Sequence, residues 1–330
     1  MVTLEINDLP SDIYYQPAYS ALYEGGAEYF EFCYQEEAHY VKFSALKRRI
    51  SSVLNHKLEE ELYDLETPYG YGGPIANYFD EPFLHRAFSA YREHCRKLNI
   101  VCEFIRFHPF NPLAKSSSLF DMHFHERQVV VVDLENSAEE RRKSYSKTTR
   151  NIVRKAGTRL LVEENCQQIP DFMAMYYQTM RKNTASDFFY FDENYFHQLA
   201  AVDGVSMLAV KKEETYASIG FFMCGKELAH YHLSANNQEL AKENGNYLLL
   251  DAAFDYAKRQ GCRYMMLGGG RTSSSEDSLF KFKSKFSPLT LPFYIAGIDF
   301  LPEKREMLNQ IWLEQSLQNI PPKLFQLYRA

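Results

Sequence analysis

The chain comprises 330 residues, 45% of them apolar and 24% charged, with a formal net charge of −6. That length favours two hydrophobic cores over one, and the ordinary composition excludes a disordered chain. A slightly acidic surface without basic tails excludes nucleic acid or an anionic membrane as a whole-surface partner, because sequence-independent phosphate binding needs a net basic face.

In chain order, the first half alternates strand-like and helical segments. Glu28 to Tyr34 and His39 to Leu46 are aromatic and β-branched runs that predict strands, and Glu81 to Leu98 predicts a helix. Between them, Thr67-Pro68-Tyr69-Gly70-Tyr71-Gly72-Gly73-Pro74 precludes regular structure. It is either a plain connection or a loop whose backbone approaches a ligand, with Tyr71 as a candidate substrate contact. Val101 to Phe107 and Gln128 to Leu134 are again strands, and Val129 to Val132, without polar alternation, predicts a central strand covered on both faces. Ala138 to Ala156 predicts one charged helix stopped by Gly157. Its Arg141, Arg142, Lys143, Lys147, Arg150, Arg154 and Lys155 form a basic stripe, either a solvated or interdomain face or a phosphate-binding one.

The second half repeats the theme. Ile169 to Lys182 and Glu193 to Ala200 predict helices, and Ser206 to Val210, Ala217 to Cys224 and Ala229 to Ser234 predict three strands in a meander. Asn246 to Gln260 follows as a helix with Leu248, Leu249, Ala252, Ala253, Tyr256 and Ala257 on one face, ended by Gly261. Cys262 to Leu267 is a short buried strand, and Gly268-Gly269-Gly270 opens a turn. A meander feeding a helix and then a parallel strand is the layout of an acyltransferase-like sheet that splits to admit a substrate.

No apolar run approaches the roughly 20 residues of a membrane span, and the start, with Glu5 and Asp8, lacks the basic-then-apolar order of a signal peptide; a cytoplasmic location is expected. Cys33, Cys95, Cys102, Cys166, Cys224 and Cys262 are scattered without a C-x-x-C pair and read as small buried hydrophobes. Neither a disulfide framework nor a zinc site is indicated.

The stretch from Gly268 to Phe286 is the one that carries chemistry. Ser274 with Asp277 three residues on fits a capping box that starts a short helix. Leu279, Phe282 and Phe286 share one face of it, Lys281 and Lys285 fall near the rim, and Lys283 points towards whatever the glycine turn opens onto. A cation on a water-poor wall stabilises the oxyanion that develops when an amine attacks an ester or thioester. The bland alternative is that these lysines keep an aromatic helix soluble.

Tyr231-His232-Leu233-Ser234-Ala235, Asn246-x-Leu248-Leu249-Leu250, Leu267-Gly268-Gly269 and Asp277-Ser278-Leu279-Phe280-Lys281-Phe282-Lys283-x-x-Phe286 together resemble the FemABX-type branch of the GNAT acyltransferase superfamily. Ile105-Arg106-Phe107-x-Pro109, Val131-Val132-Asp133-Leu134 and Arg150 to Ala156 look like that family's segments in the first half. The resemblance implies an α/β fold of tandem GNAT-like domains, each a mixed, mainly antiparallel sheet flanked by helices. The first is expected over residues 1–145 and the second over 146–330, with a C-terminal helix, about 302–330, packing back on the first. It implies transfer of an aminoacyl group from aminoacyl-tRNA to a peptidoglycan precursor, with Lys283 of the Phe282-Lys283 pair assisting the tetrahedral intermediate. It also implies substrate contacts from Thr179, Arg181 and Tyr231, beside Gly268 and Gly269 of the turn.

The chain departs from the family in two ways. The early lysine that family members use on the substrate diphosphate has no counterpart between Tyr14 and Tyr34. The Gln/Arg-x-x-Gly-x-Gly/Ala loop that holds coenzyme A in ordinary GNAT enzymes is replaced by Glu239 to Gly245. The expected function is therefore an acyltransferase acting on an amine of a cell-envelope precursor, with aminoacyl-tRNA or an acyl thioester such as acyl-CoA as co-substrate and no tightly bound cofactor. The alternatives are an N-acyltransferase on an amino sugar of a surface polysaccharide, and a non-catalytic module binding tRNA or a sugar nucleotide. His123-x-His125 and His230-x-His232 have a spacing metals can use, but without a third ligand at a convincing spacing they read as structural or substrate-facing, and no metal is expected.

Overall fold

The computed structural model describes residues 4–23, 25–183, 185–316 and 324–330. The chain divides into a first unit, Tyr14–Glu126 with Pro292–Ala330, and a second, Met1–Ile13 with Arg127–Leu291. The expected boundary at 145/146 falls inside the second unit.

The first unit begins with α1 (Pro17–Ala21), β1 (Ala27–Glu36), β2 (His39–Val53), β3 (His56–Glu66), β4 (Ile75–Ala76), α2 (Glu81–Lys97) and β5 (Ile100–Arg106). Strand β6 (Met122–Asp133) leads into the second unit. There follow α3 (Ala138–Ser144), α4 (Lys147–Ala156), β7 (Leu161–Glu164), α5 (Ile169–Lys182), α6 (Glu193–Ala201), β8 (Val205–Lys212), β9 (Thr215–Cys224), β10 (Leu228–Asn236), α7 (Gly245–Arg259), β11 (Tyr264–Gly268) and α8 (Ser278–Lys283). The chain returns to the first unit through β12 (Thr290–Asp299) and α9 (Pro302–Gln315).

Strands of the first unit run in the order β1-β2-β3-β5-β12, with β4 beside β2. Among the described strand pairs of this unit, only β3 and β5 are parallel. Helix α2 starts where Asp80 accepts from the Phe83 amide at 3.0 Å, and its basic last turn faces the unpaired carbonyls. Its Phe83, Phe88 and Tyr91 pack with Phe43, Ile105 and Phe107. A second cluster joins Leu308 and Trp312 of α9 to Ile50, Leu62 and Val101. The chain end is tied down beside it: fully buried Asp64 accepts from Arg48, Arg329 and the Tyr328 hydroxyl, each at 2.9 Å.

The second unit orders its strands β6-β11-β10-β9-β8-β7, and among its described strand pairs only β10 and β11 are parallel. Both units are thus mixed, mainly antiparallel sheets flanked by helices. The core of the second gathers Val130 and Val132 of β6, Phe222 of β9 and Leu249, Ala253 and Phe254 of α7. No described helix is long and apolar enough to cross a membrane.

Three expectations are corrected. The charged helix predicted over Ala138 to Ala156 is two helices, because Tyr145 takes an extended conformation to bury its ring against Phe254 and Phe286. Ser146 then caps α4 by accepting from the Thr149 amide at 3.2 Å. The basic stripe is not wholly solvated: Arg141 is 3% exposed and paired with Asp255, and Arg142 reaches Asp251 at 2.8 Å and Asp255 at 2.9 Å, both on α7. Cys33 is exposed on β1 rather than buried.

Candidate active site

Strands β10 and β11 pair only from Leu228 to His230 against Tyr264 to Met266. Beyond that, β10 stays with β9 as far as Asn236 and β11 stays with β6 as far as Gly268. Each strand breaks register where they part, β10 between Tyr231 and Leu233 and β11 between Met266 and Gly268. An extra residue bends its strand and re-aims side chains. The sheet is therefore split at Tyr231, and Gly268, at φ 76, turns the chain sharply at the end of β11.

The turn is braced from both sides. Arg127 of β6 donates to the Gly270 carbonyl at 2.7 Å. Asp277, not Ser274, caps α8: its carboxylate accepts from the Leu279 and Phe280 amides at 2.9 and 3.1 Å and from the Thr272 amide at 3.2 Å. Ser274 instead accepts from the Glu276 amide at 3.1 Å.

At the last residue of α8, Lys283 is only 7% exposed. Its ammonium donates to the Gly269 carbonyl at 2.8 Å and lies 5.8 Å from the centroid of the Tyr231 ring. Burial lowers it to about 7; the Asp277 carboxylate opposes this and the Arg127 guanidinium adds to it. Of its three protons one is engaged at Gly269, which leaves donors for a further acceptor. Phe282 is half-buried, edge-on to Tyr247 at 5.0 Å and to Phe286 at 5.6 Å, so it anchors α8 to the core. Exposed Lys281 pairs with Glu276, and Lys285 donates to the Tyr247 hydroxyl at 3.0 Å.

Tyr231 stacks on Phe222 at 5.6 Å with its hydroxyl bonded to Ser234, and burial raises its phenol. Lys283, Tyr231, Gly268 and Gly269 are thus brought together, with Phe282 behind them. Thr179 and Arg181 lie on α5, which packs against β10. The Thr179 hydroxyl donates to the Met175 carbonyl at 2.9 Å, Arg181 is exposed, and neither touches Lys283 among the described residues. Arg271 links the end of α5 to α8, donating to Asn183 at 3.1 Å and to Ser278 at 3.3 Å. Tyr71 belongs to the first unit, its ring packed edge-on against Tyr14, His108 and Phe293.

Of the histidine pairs, His123 approaches the Ala114 carbonyl at 2.8 Å and stacks on Tyr294. In the second unit His230 lies 2.6 Å from buried Asp12, and His232 lies 3.3 Å from the Tyr195 hydroxyl. Burial, then the neighbouring His230, depresses His232 to about 3, so its ring is neutral at physiological pH. Sequence reasoning missed Arg127 and Asp12. The signal for Arg127 is a lone cation two residues before the apolar run Val129 to Val132.

A profile of the acetyltransferase (GNAT) domain matches residues 139–283, ending on Lys283. No curated protein matches the chain in sequence. Among solved structures, FemX is similar with a TM-score of 0.65 at 14% identity, over 92% of this chain and 94% of its own. L-PGS from Bacillus licheniformis is similar at 0.56 and 12% identity, over 90% of each chain. The C-terminal domain of a putative lysylphosphatidylglycerol synthetase from Agrobacterium fabrum gives 0.51 and 13%, over 87% of this chain and 89% of that one. Residues 139–283 thus match the acetyltransferase (GNAT) domain, and the chain as a whole has a fold like that of FemX.

Proposed function

We propose that this acyltransferase moves an aminoacyl or acyl group onto an amine of a cell-envelope precursor, either a peptidoglycan precursor or a surface saccharide, in the cytoplasm. The observation that carries the reading is the buried Lys283 ammonium at the point where β10 and β11 part, oriented by the Gly269 carbonyl. The acceptor nitrogen attacks the carbonyl carbon of an ester or thioester, and the π electrons move to oxygen. Lys283 faces that oxyanion and stabilises it more than it stabilises the neutral carbonyl. The oxyanion collapses, the carbon–oxygen or carbon–sulfur bond breaks, the leaving group takes the electron pair, and the proton given up by nitrogen ends on the leaving oxygen or sulfur.

Phe282 holds the helix that carries the lysine, and Tyr231, Gly268 and Gly269 border the reacting groups. Thr179 and Arg181 on α5 are assigned to the acceptor, Arg181 as an exposed cation suited to an anionic group. Likeness to FemX and to a protein named as a lysylphosphatidylglycerol synthetase supports an aminoacyl donor and an envelope acceptor. The GNAT acetyltransferase match supports an acyl thioester such as acyl-CoA as the alternative donor, with an amino sugar as acceptor.

The test is Lys283→Ala against a panel of aminoacyl-tRNAs and acyl thioesters with amine acceptors. Loss of one oxyanion stabiliser should lower kcat by roughly 100- to 1,000-fold while acceptor affinity changes little. A variant that keeps the parent kcat with the accepted donor refutes the assignment of Lys283.

A further inference from the structure

A second cation, Arg127, acts on Lys283 from β6. We propose that Arg127 is the positioning residue of this site: its guanidinium, bonded to the Gly270 carbonyl, sets the Gly268–Gly270 turn so that the Gly269 carbonyl meets the Lys283 ammonium. The inference rests on the reading of Lys283 as the acting group.

The last rung between β6 and β11 is Val130 opposite Gly268. Gly269 and Gly270 lie past it, so no backbone ladder to β6 holds them. Arg127, three residues before Val130 on β6, supplies the missing tie through its side chain at 2.7 Å. The fit is close enough to exclude side chains at both glycines. A Cβ at Gly269 would stand 2.7 Å from the Arg127 Cδ and 3.0 Å from the Gln128 carbonyl oxygen. A Cβ at Gly270 would stand 2.5 Å from the Asp277 carboxylate. The turn is thus wedged between a cation on β6 and an anion at the start of α8, and its Gly269 carbonyl is aimed at the lysine that ends the same helix.

Both wedging groups also act on Lys283 electrostatically. The groups facing it are Asp277 from the α8 cap, Arg127 from β6 and the Tyr231 ring from β10. Asp277 favours the ammonium and Arg127 disfavours it, so loss of the guanidinium should leave Lys283 more fully protonated. One residue would then govern both the direction and the charge state of the acting amine.

The experiment compares the parent with Arg127→Gln, Arg127→Lys and Gly269→Ala, the last displacing the same contact from the other side. The first readout is the pH dependence of Lys283 acetylation by acetic anhydride, followed by peptide mass spectrometry, since only the neutral amine reacts. Arg127→Gln should raise the midpoint by about half a pH unit or more, a roughly threefold change in the protonation ratio, and Arg127→Lys should return it towards the parent. Should Arg127→Gln fail to fold, Gly269→Ala, which keeps the guanidinium but displaces the carbonyl that Lys283 meets, is read by kcat, which should fall about tenfold at unchanged acceptor KM. The second readout is kcat, which should fall about tenfold at unchanged acceptor KM in Arg127→Gln and recover in Arg127→Lys. A parent-like labelling midpoint in a folded Arg127→Gln protein, or a parent-like kcat in a folded Gly269→Ala protein, overturns the proposal. If the parent turns over no donor, the transfer reading fails, while the labelling midpoints still decide the role of Arg127.

Discussion

Glu103 on β5 is 2% exposed, and its carboxylate accepts from the Tyr91 hydroxyl at 2.9 Å. Burial raises its carboxyl from 4.5 to about 7, with the Tyr91 bond opposing the shift. In the unfolded chain the group ionises near 4.5, so between the two values the folded state holds a proton that the unfolded state has lost. Stability therefore falls as pH rises from about 4.5 to about 7, and the full penalty stands above 7. At roughly 1.4 kcal/mol per pH unit this span corresponds to about 3 kcal/mol. Glu103→Gln keeps an acceptor for Tyr91 and removes the ionisation. It should stabilise the first unit by up to about 3 kcal/mol at pH 8 and little at pH 4.5. The chain's single tryptophan, Trp312, lies in that unit's core, so urea unfolding followed by its fluorescence reports the right transition. An equal difference between the two proteins at pH 4.5 and pH 8 would refute the linkage.

Because the ammonium form of Lys283 is the acting one and titrates at about 7, kcat/KM should fall as pH rises through that value. Asp277→Asn keeps a capping oxygen and removes the charge that favours the ammonium; the falling limb should move to lower pH, and a move upward would contradict the arrangement. Asp64→Asn leaves Arg48 and Arg329 facing a neutral group in a buried network and should cost about 3 kcal/mol, read as a lower urea midpoint of the Trp312 signal. Gly73→Ala forces a side chain onto a backbone at φ 93 and within 2.8 Å of the Phe107 ring, and the same fluorescence assay should show it destabilised.

Much of this was legible in local pattern. The run Ile169–Lys182 is helix α5 to the residue, and the meander β8 to β10 follows the aromatic and β-branched runs that predict it. What local pattern could not supply was partners distant in sequence. Strand β3 carries Glu59, Glu60 and Glu61 in succession, without apolar alternation, and is a strand because β2 and β5 pair with it. Arg141 and Arg142 read as solvated until Asp251 and Asp255 arrive from α7. Ser274 and Asp277 both match a capping signature, and only the direction of the turn, set by Arg127 and the glycines, decides for Asp277. Within the site, Lys283, Tyr231 and the glycine turn were nameable from the sequence, but the register breaks that open the sheet between them were not.

The return of β12 to β5 sets an order of events during synthesis. Residues Ile295 to Asp299 complete the ladder with Cys102 to Arg106, yet they leave the ribosome only after every strand of the second unit has been made. Until then β5 presents an open edge of hydrogen-bonding groups, the kind that templates intermolecular pairing. The strands of the second unit are thus all synthesised before the sheet of the first unit can be completed by β12.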